Sequence, residues 1–160
     1  LTLSGGTTRI ASGVTLQVNG NIAVNSPAIL DIEPGATLVL GNGATVTVAL
    51  GGTLEMVGTS SLNAAIRAAN TASNYTIVVN GTISARYYTL QNLGANGLTI
   101  NSGATIDASN FLQNGSYTYP GINNANLLRL FRQIPGNTLT GMTFDANGSG
   151  ATGVKSVATN

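Results

Sequence analysis

Short apolar segments recur about every eight residues in the first third of the chain. There are six, and most alternate an apolar residue with a polar or small one: Val14–Val18, Ile22–Val24, Ile29–Ile32, Leu38–Leu40, Val46–Val48 and Leu54–Met56. A period of two places one set of side chains on one face of a strand. Turn-forming pairs such as Asn19-Gly20 and Pro34-Gly35 separate the segments. Strands this short cannot bury a face alone, so the pattern predicts an all-β fold, a single parallel β-helix (β-solenoid) with about three short strands per coil.

A four-residue unit, Gly-Ala-Thr-aliphatic, underlies this regularity. Gly35–Leu38 and Gly43–Val46 match it, and it returns at Gly103–Ile106. Glycine turns the corner with φ values that other residues avoid, the small residue lets coils stack closely, threonine faces out and the aliphatic residue faces in. Three units of about eight residues make a coil of about 24 residues. That period places three pairs of residues one above the other: Thr15 and Val39, Asn21 and Thr45, and Asp31 and Glu55.

The whole chain, residues 1–160, is predicted to be one β-solenoid domain and part of a longer chain or assembly. Regular coils are expected over residues 7–57 and less regular coils with loops over 58–160. Residues 60–70 fit either a strand with loops or a short helix, and the strand is favoured. The stretch Asn110–Asn126 is interpreted mostly as a loop, and the following strands are predicted within Leu127–Phe131 and Leu139–Phe144.

Composition narrows the function classes. Charged residues make up 7% of the chain, with six basic and five acidic, so neither a nucleic-acid interface nor a polybasic membrane signal is expected. No apolar run approaches the roughly 20 residues that span a bilayer, so no membrane insertion is expected. The chain has no cysteine and no histidine, and no cofactor is expected. A surface of Thr, Ser, Asn and Gly suits a protein that lies outside the cytoplasm or is shielded inside an assembly.

The acidic residues supply the one cluster that could carry chemistry. Asp31 and Glu55 are expected to stack on one outward face, with Glu33 two residues along, where they could hold a metal ion or form a catalytic pair. No Arg or Lys is predicted near them, because Arg67 and the later arginines, Arg86, Arg129 and Arg132, fall in other coils. Exposed strand residues are the simpler interpretation, and the chain is not expected to be an enzyme.

Tyrosine, threonine and asparagine offer further candidates. Tyr117 and Tyr119 in the predicted loop are candidate ligand-binding residues that could stack on a sugar, whereas one of the adjacent Tyr87 and Tyr88 must face the core. A threonine ladder of the kind that binds ice is not expected. In a 24-residue coil Thr45 and Thr47 lie over Asn21 and Ala23, and Thr15 lies under Val39, so threonine does not stack on threonine. Corner asparagines are expected to form structural ladders: Asn19, Asn80 and Asn101.

The chain resembles the right-handed parallel β-helix repeat regions of large bacterial surface and secreted proteins. The resemblance rests on the Gly-Ala-Thr-aliphatic units, the run Val79–Tyr88 and the segment Asn96–Ile100. It implies an extracellular scaffold or adhesive stalk and brings no catalytic residue to this sequence. Right-handedness rests on this resemblance and on the general preference of parallel crossovers.

The expected function is therefore an extracellular structural or adhesive module at a bacterial surface, or a self-assembling fibre or filament subunit. Its expected partners are itself or neighbouring solenoid segments, stacked end to end, and surface glycans. A carbohydrate-binding module is the first alternative, and a polysaccharide lyase or hydrolase centred on Asp31 and Glu55 is the second.

Overall fold

The computed structural model describes residues 1–118, 126–134, 136, 139–145 and 157–159. Sixteen strands form in that part of the chain, and no α-helix does. The strands are β1 (Thr2–Leu3), β2 (Thr7–Ile10), β3 (Thr15–Val18), β4 (Ile22–Val24), β5 (Ile29–Ile32), β6 (Thr37–Leu40), β7 (Ala44–Val48), β8 (Thr53–Val57), β9 (Ala64–Ala68), β10 (Tyr75–Val79), β11 (Thr82–Gln91), β12 (Leu93–Ile100), β13 (Thr105–Thr118), β14 (Leu128–Leu130), β15 (Thr143–Asp145) and β16 (Val157–Thr159).

All strand pairs are parallel and join successive coils. Face 1 contains β1, β4, β7, β10, β12, β14 and β16 in that order. The long strand β11 covers two faces, because its first half pairs with β8 and its second half with β9. Face 2 is thus β2, β5, β8 and the first halves of β11 and β13, and face 3 is β3, β6, β9 and their second halves. The result is a β-solenoid of about six turns with roughly three strands per coil, which confirms the predicted fold class.

The core consists of aliphatic ladders that run along the axis. On each strand alternate side chains point inward, and the parallel register stacks each one on its counterpart in the next coil. Two ladders on face 1 and one on face 3 illustrate this: Ile22–Val46–Ile77–Leu98–Leu128, Val24–Val48–Val79–Ile100–Leu130, and Leu16–Leu38–Ile66–Leu90–Tyr117–Phe144. Most of these side chains are completely buried.

The corners at Gly35 and Gly43 confirm the logic of the repeat unit, whereas Gly103 turns its corner without a positive φ. Gly35 and Gly43 have φ values of 77° and 72°, in the left-handed region that other residues rarely adopt. Ala36 and Ala44, which follow them, are buried. The small residue therefore lies where neighbouring coils approach, as the sequence predicts.

Two ambiguous or irregular stretches are strands. Residues 64–68 form β9, in which Ala64, Ile66 and Ala68 are buried while the residues between them are partly exposed. This period of two confirms the favoured strand and shows that the helical alternative is wrong.

The loop predicted over Asn110–Asn126 is wrong as far as Thr118. β13 pairs with β11 from the Thr82–Thr105 register to the Gln91–Thr118 register. Its bends are made by Leu112 and Asn114, which adopt positive φ without being glycine. The polar composition that suggested a loop belongs to these bends. Residues 119–125 lie outside the described residues.

The coils differ in length. Thr15 stacks on Thr37 and not on Val39, because the first coil of this face has 22 residues where the prediction used 24. The predicted stacking of Asp31 on Glu55 is confirmed. The predicted stacking of Asn21 below Thr45 is confirmed as well, and the backbone N–H of Thr45 donates to Asn21 Oδ1 at 3.0 Å. Of the later strands, β14 falls within the predicted segment Leu127–Phe131. The strand β15 overlaps only the end of the predicted segment Leu139–Phe144.

Candidate functional site

Charged side chains gather in one outward row on face 2. We define the polar column as Arg9, Asp31, Glu55, Ser84 and Asp107, from β2, β5, β8, β11 and β13. Inward neighbours such as Leu30 and Ile83 occupy the core, so strand alternation alone sends these polar residues outward. With Glu33 beside it, the column holds four of the five acidic residues in the chain.

Arg9 binds two of these acids. Its Nε lies 2.9 Å from Oδ2 of Asp31 and 3.2 Å from Oε1 of Glu33. The hydrogen bond to Asp31, followed by the charges of Asp31 and Glu33, raises the pKa of Arg9. The prediction that no basic residue lies near the acids is therefore wrong. A 24-residue period puts Thr7 beside Asp31, whereas the actual 22-residue coil puts Arg9 there.

Glu55 is the acid in the column that resists ionisation. Partial burial raises its pKa, and the negative charges of Asp31 and Asp107 raise it further. The attraction of Arg9 is the weakest of the influences on it, since that guanidinium is one coil further away and already faces Asp31. Glu55 thus carries the unfavourable part of the electrostatics of this row.

The surroundings of Asp107 have the opposite effect and favour its ionised form. The backbone N–H of Ser109 donates to its Oδ1 at 2.9 Å, and the Ser84 hydroxyl and the Asn110 amide donate to its Oδ2 at 2.8 and 3.2 Å. These donors, led by Ser109, lower the pKa of Asp107 against the smaller effect of burial. Asp107 is consequently a satisfied, ionised group.

The geometry of the column limits the chemistry that it can perform. Within the part of the chain that the structure describes, no three His, Cys, Asp or Glu side chains are placed to hold a metal ion together. Asp31 and Glu55 are neighbours as predicted, but Asp31 already accepts the Arg9 hydrogen bond. A metal site or a catalytic pair at these two residues remains a prediction, as does the expectation that the chain is not an enzyme.

The tyrosine predicted to bind a ligand lies in the core. Tyr117 is completely buried, stacks on Phe144 with ring centroids 4.9 Å apart, and meets Tyr88 edge to face at 5.9 Å. The two tyrosine hydroxyl oxygens are 2.9 Å apart and form a hydrogen bond. Burial raises the pKa of Tyr117. The second candidate, Tyr119, lies outside the described residues.

The adjacent Tyr87 and Tyr88 divide between core and surface, as predicted. Tyr88 is buried, whereas Tyr87 is partly exposed and adopts a φ of 49° at the bend of β11. The guanidinium carbon of Arg86 lies 5.3 Å from the centre of the Tyr87 ring. This exposed cation–π pair marks the corner between faces 2 and 3.

Threonine and asparagine rows match the predictions in part. Thr45 and Thr47 stand over Asn21 and Ala23 as expected, but Thr15 begins a row on face 3, Thr15–Thr37–Ala65–Thr89–Ser116–Thr143. Alanine interrupts this row, and the neighbouring column holds Gln17, Val39 and Arg67, so no unbroken double row of threonine forms there.

The asparagine ladder is confirmed for one pair and wrong for the third residue. The Asn101 amide donates to Asn80 Oδ1 at 2.7 Å across adjacent coils. Asn19 is exposed and instead accepts a hydrogen bond from Gln17 at 2.8 Å. Among the described residues, the Asn19 side chain therefore lacks the hydrogen bond to a neighbouring coil that joins Asn101 to Asn80.

No protein family, no curated protein and no solved structure matches this chain. Helices long and apolar enough to cross a membrane are absent from the described residues.

Proposed function

We propose that this chain is a structural β-solenoid module: a stalk, an adhesin module or a fibre subunit that works outside the cell, at a bacterial surface. The observation that supports this is the unbroken parallel pairing of the coils. Each strand from β4 to β12 pairs with a neighbouring strand on both of its edges. With neighbouring strands about 4.8 Å apart, six turns build a rod about 29 Å long.

The outer surface supports close packing against other rods or against a matrix. Face 1 presents an outward row, Thr2–Ala23–Thr47–Val78–Thr99, that is uncharged over its first five coils and reaches a charged residue, Arg129, on β14. Charged residues make up only 7% of the chain, and four of the five acidic ones lie in or beside the polar column on face 2. Lateral neighbours could therefore approach face 1 without strong repulsion between like charges.

Stacking end to end is the proposed mode of assembly. Among the described residues, β1, β2 and β3 each pair with a single strand, which belongs to the next coil. Unpaired strand edges are templates for another strand. A preceding solenoid segment or a second copy of the chain would continue the ladders, and a contact of this head-to-tail kind propagates into a filament when it does not close.

The experiment is electron microscopy of the purified 160-residue chain at several concentrations, with a variant that blocks the edge. The carbonyls of Gly6, just before β2, and of Ile10, at its end, accept hydrogen bonds from the N–H groups of Ile29 and Glu33 in the next coil, so the amide of Thr7 points to the free edge. Thr7→Pro removes that donor without breaking the β2–β5 ladder, since proline is tolerated on edge strands. Thr7→Val is the matched control, because it keeps the amide and the approximate size of the side chain.

Filaments from the native chain and from Thr7→Val, but not from Thr7→Pro, would support assembly through this edge. Filaments from all three chains would place the contact elsewhere on the rod. Separate particles at every concentration would contradict self-assembly of this segment, and the stalk would then depend on neighbouring segments of a longer chain.

A further inference from the structure

Asn-Gly pairs recur at the corners of this solenoid. Five of them lie in the described part of the chain: Asn19-Gly20, Asn42-Gly43, Asn80-Gly81, Asn96-Gly97 and Asn114-Gly115. A sixth, Asn147-Gly148, lies outside it. Such pairs can deamidate without any enzyme, because glycine has no side chain to hinder its own backbone nitrogen. The reaction needs that nitrogen to be free and the asparagine side chain to reach it.

At Asn42-Gly43 both reacting groups, the glycine nitrogen and the asparagine side chain, form hydrogen bonds. The Gly43 N–H donates to the carbonyl of Asn74 at 2.8 Å, and the Asn74 N–H donates to Asn42 Oδ1 at 3.2 Å. Both bonds must open before the nitrogen can reach the side chain. Although Asn42 and Gly43 are exposed, the next coil thus protects them.

The other three described pairs are protected by similar means. The Gly81 N–H donates to the carbonyl of Val48 at 3.1 Å, and Asn80 Oδ1 accepts from Asn101. Gly97 and Gly115 are buried within β12 and β13. In each case the strand or corner must open locally before the reaction.

Asn19-Gly20 differs from all four. Both residues are exposed, and the Gly20 N–H has no hydrogen-bond partner among the described residues. The contact of the Asn19 side chain is the hydrogen bond from Gln17 Nε2 to Asn19 Oδ1 at 2.8 Å. Gln17 is itself exposed and lies two residues away in the same coil, so this bond, unlike those from Asn74 and Asn101, does not tie the asparagine side chain to a neighbouring coil. The donor also stabilises negative charge on the oxygen as the attack proceeds.

We propose that Asn19 is a site of spontaneous modification, where the amide converts to aspartate and isoaspartate. The Gly20 nitrogen loses its proton and bonds to the side-chain carbon of Asn19. The bond from that carbon to the amide nitrogen breaks, and ammonia leaves. Water then opens the cyclic imide at either carbonyl, which gives aspartate or isoaspartate.

The products change how the first coil packs on the second. The backbone of Asn19 lies directly against Gly41, where an added Cβ would be 2.4 Å from the Asn19 carbonyl oxygen. Isoaspartate lengthens the main chain by one carbon at this close contact, and either product adds a negative charge. The stacking of β3 on β6 weakens as a consequence.

The test is peptide mapping by mass spectrometry of the full chain, aged at mildly alkaline pH in the folded state and in urea. In the folded protein we expect Asn19 to deamidate roughly tenfold faster than Asn42, because Asn42 reacts only after local opening. In urea the two sites should react at comparable rates, since their local sequences are both Asn-Gly.

Gly20→Ala is the matched variant. No atom lies within 4 Å of the position of the new Cβ, and Gly20 does not have a positive φ, so the fold accommodates alanine. Its methyl group should slow the reaction at Asn19 by roughly tenfold and leave the Asn42 rate unchanged. Equal rates at Asn19 and Asn42 in the folded protein, or no effect of Gly20→Ala, would overturn the proposal.

Discussion

At the scale of single residues, Glu55 stores unfavourable electrostatic free energy. Its pKa is raised in the folded state, so folding disfavours the ionised form, and stability is lost as the pH rises from the ordinary value of 4.5 through the raised pKa of the folded protein. We expect Glu55→Gln to stabilise the protein at neutral pH by a few tenths of a kcal/mol, allowing for solvent screening of this partly exposed group. The difference should vanish in acid, where Glu55 is protonated. Urea unfolding of both proteins at the two pH values measures it.

Asp107→Asn is the control, because it should change the free energy of unfolding in the opposite direction to Glu55→Gln. The pKa of Asp107 is lowered by its donors, so its contribution is present at neutral pH and is lost as the pH falls below the ordinary value of 3.8. The substitution should destabilise the protein at neutral pH and have less effect in acid. If Glu55→Gln destabilised the protein at neutral pH as well, the assigned electrostatics of the polar column would be incorrect.

Gly115 is required by the ring of Tyr88. A Cβ at this position would lie 2.3 Å from Cζ and 2.5 Å from the hydroxyl oxygen of Tyr88. Since that ring is completely buried and cannot move aside, Gly115→Ala should destabilise the fold by about 1–3 kcal/mol. The midpoint of urea unfolding measures the loss. Gly103→Ala is the matched control, because no atom lies within 4 Å of its Cβ position, and a loss of similar size there would refute the steric argument.

The candidate site is predictable from the sequence where the coil length is 24 residues and not where it differs. The stacking of Asp31 on Glu55 followed from alternation and a 24-residue period, and it is confirmed. Arg9 was missed because its coil has 22 residues, and a shift of two keeps a side chain outward but changes its partner. The inward position of Tyr117 was hidden by the polar residues around it, although its ladder neighbour Leu90 could have indicated the core face.

At the scale of strands, the hydroxyl pair of Tyr88 and Tyr117 joins β11 to β13 inside the core. Tyr88→Phe would leave the buried Tyr117 hydroxyl without its hydrogen bond, at a cost of about 1–3 kcal/mol. The double variant with Tyr117→Phe should lose less than the sum of the single variants, because no unpaired hydroxyl then remains. A thermodynamic double-mutant cycle by urea unfolding measures this coupling.

Tyr87→Phe is the control for this cycle. Tyr87 is adjacent in sequence and partly exposed, so loss of its hydroxyl should leave stability nearly unchanged. Strict additivity of the Tyr88 and Tyr117 substitutions would show that their hydrogen bond does not contribute to stability.

Strand identity was predictable wherever alternation was regular, and less so where the chain bends within a strand. β9 was ambiguous because Ala64–Ala68 contains three alanines, which suit a helix as well as a strand. The extent of β13 could not be predicted, because Leu112 and Asn114 adopt left-handed conformations that depend on pairing with a distant strand. Local propensity carries no information on such pairing.

At the scale of the whole molecule, the solenoid was predictable because its rule is repeated. The same alternation returns from coil to coil, and glycine corners recur at Gly13, Gly35, Gly43 and Gly51, so local errors do not accumulate into a wrong fold. The number of residues per coil could not be read in the same way. Successive members of the polar column are separated by 22, 24, 29 and 23 residues, and the extra residues lie at corners, where hydrogen bonding between strands does not constrain them.

This variation means that the chain sets two dimensions of the rod separately. The rise per coil is determined by backbone hydrogen bonds and is the same for a short coil as for a long one. Residues added at a corner widen the outline at that level without moving the coils above or below it. Insertions at corners can therefore diversify the surface while the axial length stays in proportion to the number of coils.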